Sequence, residues 1–402
     1  MNKNMNKNRL WTKDFVTVSM INFLLYMVFL LLIVTIAPYS IDRYNASTSV
    51  AGLAAGIFII GALCGRLVTG RIIENMSSKR ILIVSAIFSI ITSALYFGAV
   101  NVALLLINRL SHGIVFGIAS TTTGTIVAKI IPDNRRGEGI SYYSMSAILG
   151  TALGPVIGFL LIQNKSYNMI FIVTLVLAVI FFAISFVVSE PVHKSFIQGQ
   201  EYTRNSFAIS NFLEFKAIPI SIVTLVLGFC NSGIMAFMSL YSKQIHLLKA
   251  ASFYFFVNAV VVILSRPFCG RLFDLKGANL VMYPCIIIFA IGMFLLSQAS
   301  NGITLLLSGA IVGLGYGNYL SCAQAISIKV SPPHRLGRAT ATYFMFLDLG
   351  FGSGPYLLGC IIPFTGYRGL YLMLTFVILA DIVFYYFLHG KKESYALVAH
   401  RQ

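Results

Sequence analysis

Arg66-Leu67-Val68-Thr69-Gly70-Arg71 returns later in the chain as Arg266-Pro267-Phe268-Cys269-Gly270-Arg271, an offset of 200 (266 less 66). The same offset lays Gly113 and Gly117 over Gly313 and Gly317, and Pro132, Arg135 and Gly137 over Pro332, Arg335 and Gly337. It also lays Gly150, Gly154 and Pro155 over Gly350, Gly354 and Pro355, and Tyr167 over Tyr367. A constant offset over so much sequence predicts two halves of equal size with their elements in the same order, a parallel internal repeat. A functional site is then expected where the halves meet.

Composition sets the class. Of 402 residues, 58% are hydrophobic and only 10% charged, too little polar surface to cover a water-soluble globule of this length. Apolar runs long enough to cross a hydrocarbon core of ~30 Å recur throughout, too many for a signal peptide or single anchor. The expected fold is an all-α membrane protein of twelve transmembrane helices in two six-helix bundles. Their predicted spans are 15–38, 49–70, 80–99, 103–128, 138–162 and 167–188, then 218–241, 250–271, 280–299, 303–328, 338–362 and 367–388. Residues 1–188 form the first bundle, 189–217 a cytoplasmic connection, and 218–402 the second bundle with a short tail. The connection carries Glu190, Pro191, His193, Lys194, Glu201 and Arg204, and reads as a short surface helix or a disordered tether.

A net charge of +17 would suggest nucleic acid in a soluble protein, but here the basic residues follow topology. With the N-terminus cytoplasmic, Arg43, Lys165, Lys243, Lys249 and Arg368 fall outside, Arg66, Arg109 and Arg266 lie within spans, and every other Lys and Arg is on or beside the cytoplasmic side. That is the positive-inside bias, which puts both termini in the cytoplasm. The Asn/Lys-rich start and Ile-rich spans fit a bacterial cell membrane.

The six cysteines lie in apolar spans without metal-ligand spacing, and read as small buried hydrophobes. No HExxH, GxSxG or GxxxxGK[ST] occurs, so hydrolysis, acyl transfer and ATP use have no basis in the sequence. No enzyme activity, metal or cofactor is expected. Energy would come from an ion gradient or the substrate's own.

Gly70, Ile72, Glu74, Lys79 and Arg80 are similar to the loop motif Gly-x-Leu-Ala-Asp-Arg-x-Gly-Arg-Lys/Arg of the major facilitator superfamily, with Ser77 and Ser78 in place of its Gly and Arg. Gly270, Arg271, Leu272, Asp274 and Gly277 form a second copy. Arg109-x-x-His112-Gly113 resembles the Arg-x-x-Gln-Gly signature of its twelve-span drug:proton antiporter branch. Gly150, Gly154, Pro155 and Gly158 resemble that branch's Gly-x-x-x-Gly-Pro-x-x-Gly-Gly signature, a packing and bending device that goes with export; the eleventh span repeats it at Gly350, Gly354 and Pro355. The resemblance covers essentially the full length. It implies a cytoplasmic gate built on Gly70, Arg71, Glu74, Arg80, Gly270, Arg271 and Asp274, the glycines admitting close helix approach and the charges pairing with helix ends.

The resemblance also implies a role in proton coupling for Arg109, by holding a nearby acid deprotonated. An arginine inside a span is expensive unless it pairs, faces water or snorkels to the surface. His112, on the same helix face, is either a packing group or a proton relay. Asp348 and Asp381 are the two acids well inside spans, and a carboxyl at that depth exists protonated or beside a base or water. Asp348, on a span that borders the central cavity in this family, is the expected coupling or cation-binding group, while Asp381, on a peripheral span, is expected to make a structural contact. The resemblance further places Asn22, Tyr26, Asn231, Asn258, Tyr316, Asn318 and Tyr319 on cavity-lining spans, as a polar and aromatic pocket; each alone could instead be a helix-to-helix bond.

The function expected from these features is proton-coupled export of a small organic molecule by alternating access, as a drug or an endogenous metabolite. The first span has no acid in its interior, and a pocket with both charge signs suits a zwitterion such as a metallophore. Proton-driven nutrient import on the same fold is the alternative. The expected partners are a small-molecule substrate, protons and the lipid bilayer, with the protein a monomer and no nucleic acid bound.

Overall fold

The computed structural model describes residues 10–72, 76–132, 135–163, 167–189, 213–332 and 335–391. All the regular structure among them is helical, because backbone amides in hydrocarbon must be satisfied within the segment itself. In chain order the helices are α1 (Lys13–Tyr44), α2 (Thr48–Ile72), α3 (Ser78–Leu95), α4 (Val102–Ile130), α5 (Arg136–Gln163) and α6 (Tyr167–Ser185). They continue as α7 (Ile218–Gln244), α8 (Leu248–Lys276), α9 (Asn279–Ser297), α10 (Gly302–Val312), α11 (Asn318–Lys329) and α12 (Leu336–Tyr385).

Among the described residues, eleven helices are long and apolar enough to cross a membrane. The last is a double crossing: Leu336–Gly390 runs for 55 residues and turns at Gly366, whose backbone (φ 65°, ψ 177°) is non-helical and open to glycine. The expected twelve spans are therefore present, the eleventh and twelfth as the two arms of α12. One span departs from the expected form. The tenth is broken into α10 and α11 by a π turn over Gly313–Gly317, where the first half has the unbroken α4. Gly313 lies against the Asn258 backbone on α8 and Gly315 against Phe289 on α9, so two neighbours close on this helix at once.

Of the connection expected at 189–217, residues 190–212 lie outside the described residues. Its described end is one 3₁₀ turn, Phe215–Ala217. The turn enters α7 with Glu214 buried beneath it, 3% exposed.

By internal contacts the chain divides into two compact units: Met1–Tyr39 with Ile57–Thr203, and Ser40–Gly56 with Arg204–Gln402. The short segment Ser40–Gly56 thus packs with the second unit. Gly52 and Gly56 lie against the backbones of Pro355 and Gly352, the Thr48 hydroxyl donates to the Gly359 carbonyl at 2.7 Å, and Lys243 pairs with Asp42 at 3.5 Å.

Inside each unit the glycines of the repeat make matching helix contacts. A Cβ at Gly113 or Gly117 would strike the carbonyls of Phe58 and Ala62 on α2. At Gly313 and Gly317 it would strike Asn258 and Val262 on α8, the same pairs displaced by 200. Gly150 lies against Phe23 O and Met27 N of α1, and Gly350 against Leu225 O and Phe229 N of α7. The partners in that second pair of contacts differ by 202 (225 less 23), so α7 runs two residues out of the register expected for the rest of the chain. The corrected register holds at the ends of these helices: Tyr39 meets Tyr167 and Phe171 at 5.3 and 5.0 Å, and Tyr241 meets Tyr367 and Tyr371 at 6.4 and 5.1 Å.

Candidate functional site

Arg109 is the largest fully buried side chain described, with 0% exposure. It does not snorkel. Its guanidinium stands over the Phe58 ring, Cζ 4.6 Å from the centroid, a cation–π contact that counts for about 2 kcal/mol when desolvated. Arg109 Nη1 also donates to the Tyr96 hydroxyl at 3.5 Å, and that hydroxyl shares a hydrogen bond of 3.1 Å with His112 Nδ1. The Asn101 cap starts α4 by accepting from Leu104 N and turns the chain after α3, which brings Tyr96 back against the helix carrying Arg109 and His112. Neither Tyr96 nor Phe58 stood out in the sequence. A tyrosine at a span end, one hairpin turn from an intramembrane arginine, was the available signal.

A narrow crevice lies beside this cluster within the first unit. Leu24, Leu25, Val28, Phe58, Val115, Phe116, Leu177, Ala178 and Phe181 make it apolar, and Ser89 and His112 supply its polar groups. Tyr26, half-buried, stacks edge-on against Phe29 and Phe116. The first unit therefore offers an aromatic wall with a cation behind it.

Asn22, on the same face of α1, forms part of a closed network. Its Nδ2 donates to Ser146 Oγ at 2.9 Å and its Oδ1 accepts from the Tyr143 hydroxyl at 3.0 Å, while Tyr143 also meets Thr123 Oγ1 at 2.9 Å. These bonds join α1, α4 and α5. The amide nitrogen and oxygen of Asn22 are each engaged by protein.

The second unit is built differently. Asn258 donates to Gly309 O, Asn318 to Ser265 Oγ and Leu314 O, and Tyr319 bonds with Thr224. Three of the predicted groups keep buried atoms without hydrogen-bond partners among the described residues: Asn231 Nδ2, the Tyr316 hydroxyl and Asn318 Oδ1, the other end of the same amide. Unmet polar atoms in a dry interior are costly, and they mark places where water or a ligand's polar groups fit. Asp348 is buried at 9% exposure on α12. Asp381 is fully buried, and neither carboxyl oxygen has a hydrogen-bond partner among the described residues. Whatever structural contact Asp381 makes there, it is not a hydrogen bond to the described residues.

Gly154 lies against Met27 of α1, Gly354 against Ser232 of α7, and Pro155 and Pro355 follow them inside their helices. At the motifs expected to gate, Glu74 lies outside the described residues, and only the helical backbone is described at Gly70, Arg71 and Asp274. Arg80 and Arg271 are exposed. Gly270 does not admit a neighbouring helix, since a Cβ there would meet nothing within 4 Å. The two copies turn by different means: Ser77 caps the Arg80 amide, whereas Gly277 closes α8 at φ 87°.

The model of the Major Facilitator Superfamily matches residues 18–303 and 248–401. The chain belongs to that superfamily. An uncharacterized MFS-type transporter of Methanocaldococcus jannaschii is 26% identical over 328 residues, spanning 80% of this chain and 84% of that protein. The multidrug resistance protein MdtG of Dickeya zeae is 23% identical over 335 residues, 81% of this chain and 80% of that protein. Among solved structures, the nucleoside transporter NupG superposes with a TM-score of 0.75 at 13% identity, over 93% of this chain and 99% of that one. The superfamily protein described here is a membrane transporter and not an enzyme.

Proposed function

We propose that this transporter is a proton-coupled exporter of a small organic molecule, working by alternating access between two bundles in the cell membrane. Arg109 carries the reading. It is a fully buried cation tied to His112 through Tyr96, at repeat positions that the second half fills with Gly309 and Val312. Packing alone does not call for charge there, and an ionisable group at such depth is functional by default. In this reading Arg109, His112 and Asp348 exchange proton and substrate, and Asn231 and Tyr316 offer polar atoms to the substrate. Likeness to a multidrug resistance protein and the Gly150-Gly154-Pro155 signature favour export. A chain that buries a cation, Arg109, in one unit and an acid, Asp348, in the other carries both charge types that a zwitterion, such as an amino-acid-derived metallophore, calls for.

Proton-driven import on the same fold is the second reading. Internal pH in reconstituted vesicles of known orientation tests both, with cationic drugs, nucleosides, peptides and zwitterionic chelators added to wild type and Asp348→Asn. Proton entry into the lumen in exchange for substrate supplied inside and leaving it, lost in the variant, is the expected result for export. Proton entry alongside external substrate establishes import instead, and substrate flux with no proton movement ends the coupling assignment.

A further inference from the structure

Asp381 stands where the first repeat has Phe181. Phe181 is a buried ring of the first unit, 2% exposed, beside Val28 in the wall of the apolar crevice. The 202-residue register of α7 places Cys230 at the counterpart of Val28, and Cys230 is within electrostatic reach of Asp381. The second repeat has thus replaced a core aromatic with a carboxyl. Nothing about packing requires that, because the same architecture fills the site with a hydrocarbon side chain in its other half.

The surroundings make the carboxyl costly to keep. Both oxygens are buried and have no hydrogen-bond partner among the described residues. The titratable groups facing it are the Cys230 thiol of α7 and the Tyr319 phenol of α11, each of them also buried. α9, which packs on α12, presents Cys285 among its buried residues, and Tyr385 follows one turn later on α12 itself. None of these is a cation at neutral pH. A carboxylate here would be a charge with neither solvent nor a counter-charge among the described residues, which a dry interior does not tolerate. A carboxylic acid fits the site.

We propose that Asp381 is a proton-binding site of the transport cycle, enclosed in the second unit between α7, α9, α11 and the second arm of α12, and distinct from Asp348. The step is one of simple protonation: Asp381 takes up a proton to become the neutral acid when the site is closed, and returns it when movement of these helices admits water. The inference rests on the proton-coupled reading, and deepens it by adding a second acid.

The test uses the full-length protein in lipid. Infrared spectra across a pH series should show the carbonyl stretch of a buried, slowly exchanging carboxylic acid in wild type. The band should vanish in Asp381→Asn and persist in Asp348→Asn. In vesicles, losing one proton per cycle should cut maximal accumulation at a one-unit pH gradient about tenfold, while substrate exchange without a gradient continues. Asp381→Leu, which restores the apolar character of the first repeat, should fold at least as well as wild type and lose the same band and the same accumulation. A band unchanged in Asp381→Asn, or undiminished accumulation in both variants, overturns the proposal. Accumulation that follows a sodium gradient and loses that dependence in Asp381→Asn overturns it in favour of a sodium site. If wild type shows no gradient-driven accumulation, the coupled reading itself fails, and with it a role for Asp381 in the cycle, even where the infrared band is Asp381's.

Discussion

The Tyr96 hydroxyl bonds to His112 Nδ1 at 3.1 Å and lies 3.5 Å from Arg109 Nη1, so one side chain joins the imidazole to the guanidinium. Both neighbours are on α4 and three residues apart, but their link comes from the end of α3. The hydroxyl can pass a change in the state of one to the other.

Tyr96→Phe keeps the ring packed against Phe171, at 5.1 Å and nearly parallel, and removes only the link. We expect a stability loss of about 0.6–2 kcal/mol, the scale of one buried bond in a membrane protein, and a larger fractional loss of proton-driven transport. Thermal unfolding and gradient-driven flux measured on one preparation check this. Equal and proportionate losses in both would make the hydroxyl structural.

Asn22 yields the opposite expectation. With its amide held by Ser146 and Tyr143, Asn22→Ala removes two bonds of the network, leaving the Tyr143 hydroxyl only its Thr123 partner, and should destabilise the protein by about 1–3 kcal/mol. The apparent substrate affinity of the protein that remains folded should stay near wild type. A raised KM with an unchanged melting temperature would return Asn22 to the cavity wall.

Asn231→Ala should do the reverse, because its Nδ2 has no hydrogen-bond partner among the described residues to strand. Removing an unmet polar atom from the interior is neutral to stabilising, so the melting temperature should hold or rise while substrate affinity falls. Unchanged affinity in a stable variant would remove Asn231 from substrate recognition.

The two-bundle architecture was legible in the sequence because its evidence sits where helices touch. Gly113, Gly117 and Gly313 cannot vary without backbone collisions, nor Gly317 without striking the Val262 side chain, so the repeat survives there even where surrounding residues have drifted. The shift of α7 was hidden, since α1 and α7 share few side-chain identities and the connections after them absorb two residues without disturbing the later register. At the site, residue type revealed that Arg109, His112 and Asp348 are out of place in hydrocarbon, but not which partners surround them. Whether Asn22 is engaged by its neighbours, or Asp381 left alone, depends on helix rotation and on side chains far away in sequence. Phe58, Tyr143 and Ser146 are each ordinary for a membrane helix.

Glycines alike in sequence should differ sharply in tolerance. Gly117→Val drives a side chain into the Ala62 backbone of α2, where overpacking costs about 1–3 kcal/mol or more. Gly270→Ala and Gly337→Ala meet nothing within 4 Å, and within helices α8 and α12 should gain roughly 0.5–1 kcal/mol from better helix propensity. Melting curves of the three variants in one detergent provide the comparison. A destabilised Gly270→Ala would mean that a partner closes on this glycine in another state of the transport cycle, which would restore its expected role in the gate.

The Glu214–Arg335 pair ties the start of α7 to the start of α12 inside the second unit. Glu214 is buried while Arg335 is partly exposed, with 3.4 Å between Oε2 and Nη1. The Glu214 amide also donates to Thr342 Oγ1 at 2.9 Å, and its Oε1 accepts from the Lys216 amide. Glu214→Gln retains the shape and the cap on Lys216 but loses the charge. The half-solvated arginine can turn to water, so the change should be small, about 0.5–1 kcal/mol. Glu214→Ala loses the cap as well and should cost about 1–3 kcal/mol. Thermal unfolding separates the two, and repeating it in high salt isolates the ionic part, which should weaken only modestly because one partner is buried. If Glu214→Gln proves as damaging as Glu214→Ala, the charge and not the cap holds this turn. The junction would then be an ionic lock whose strength follows the surrounding salt.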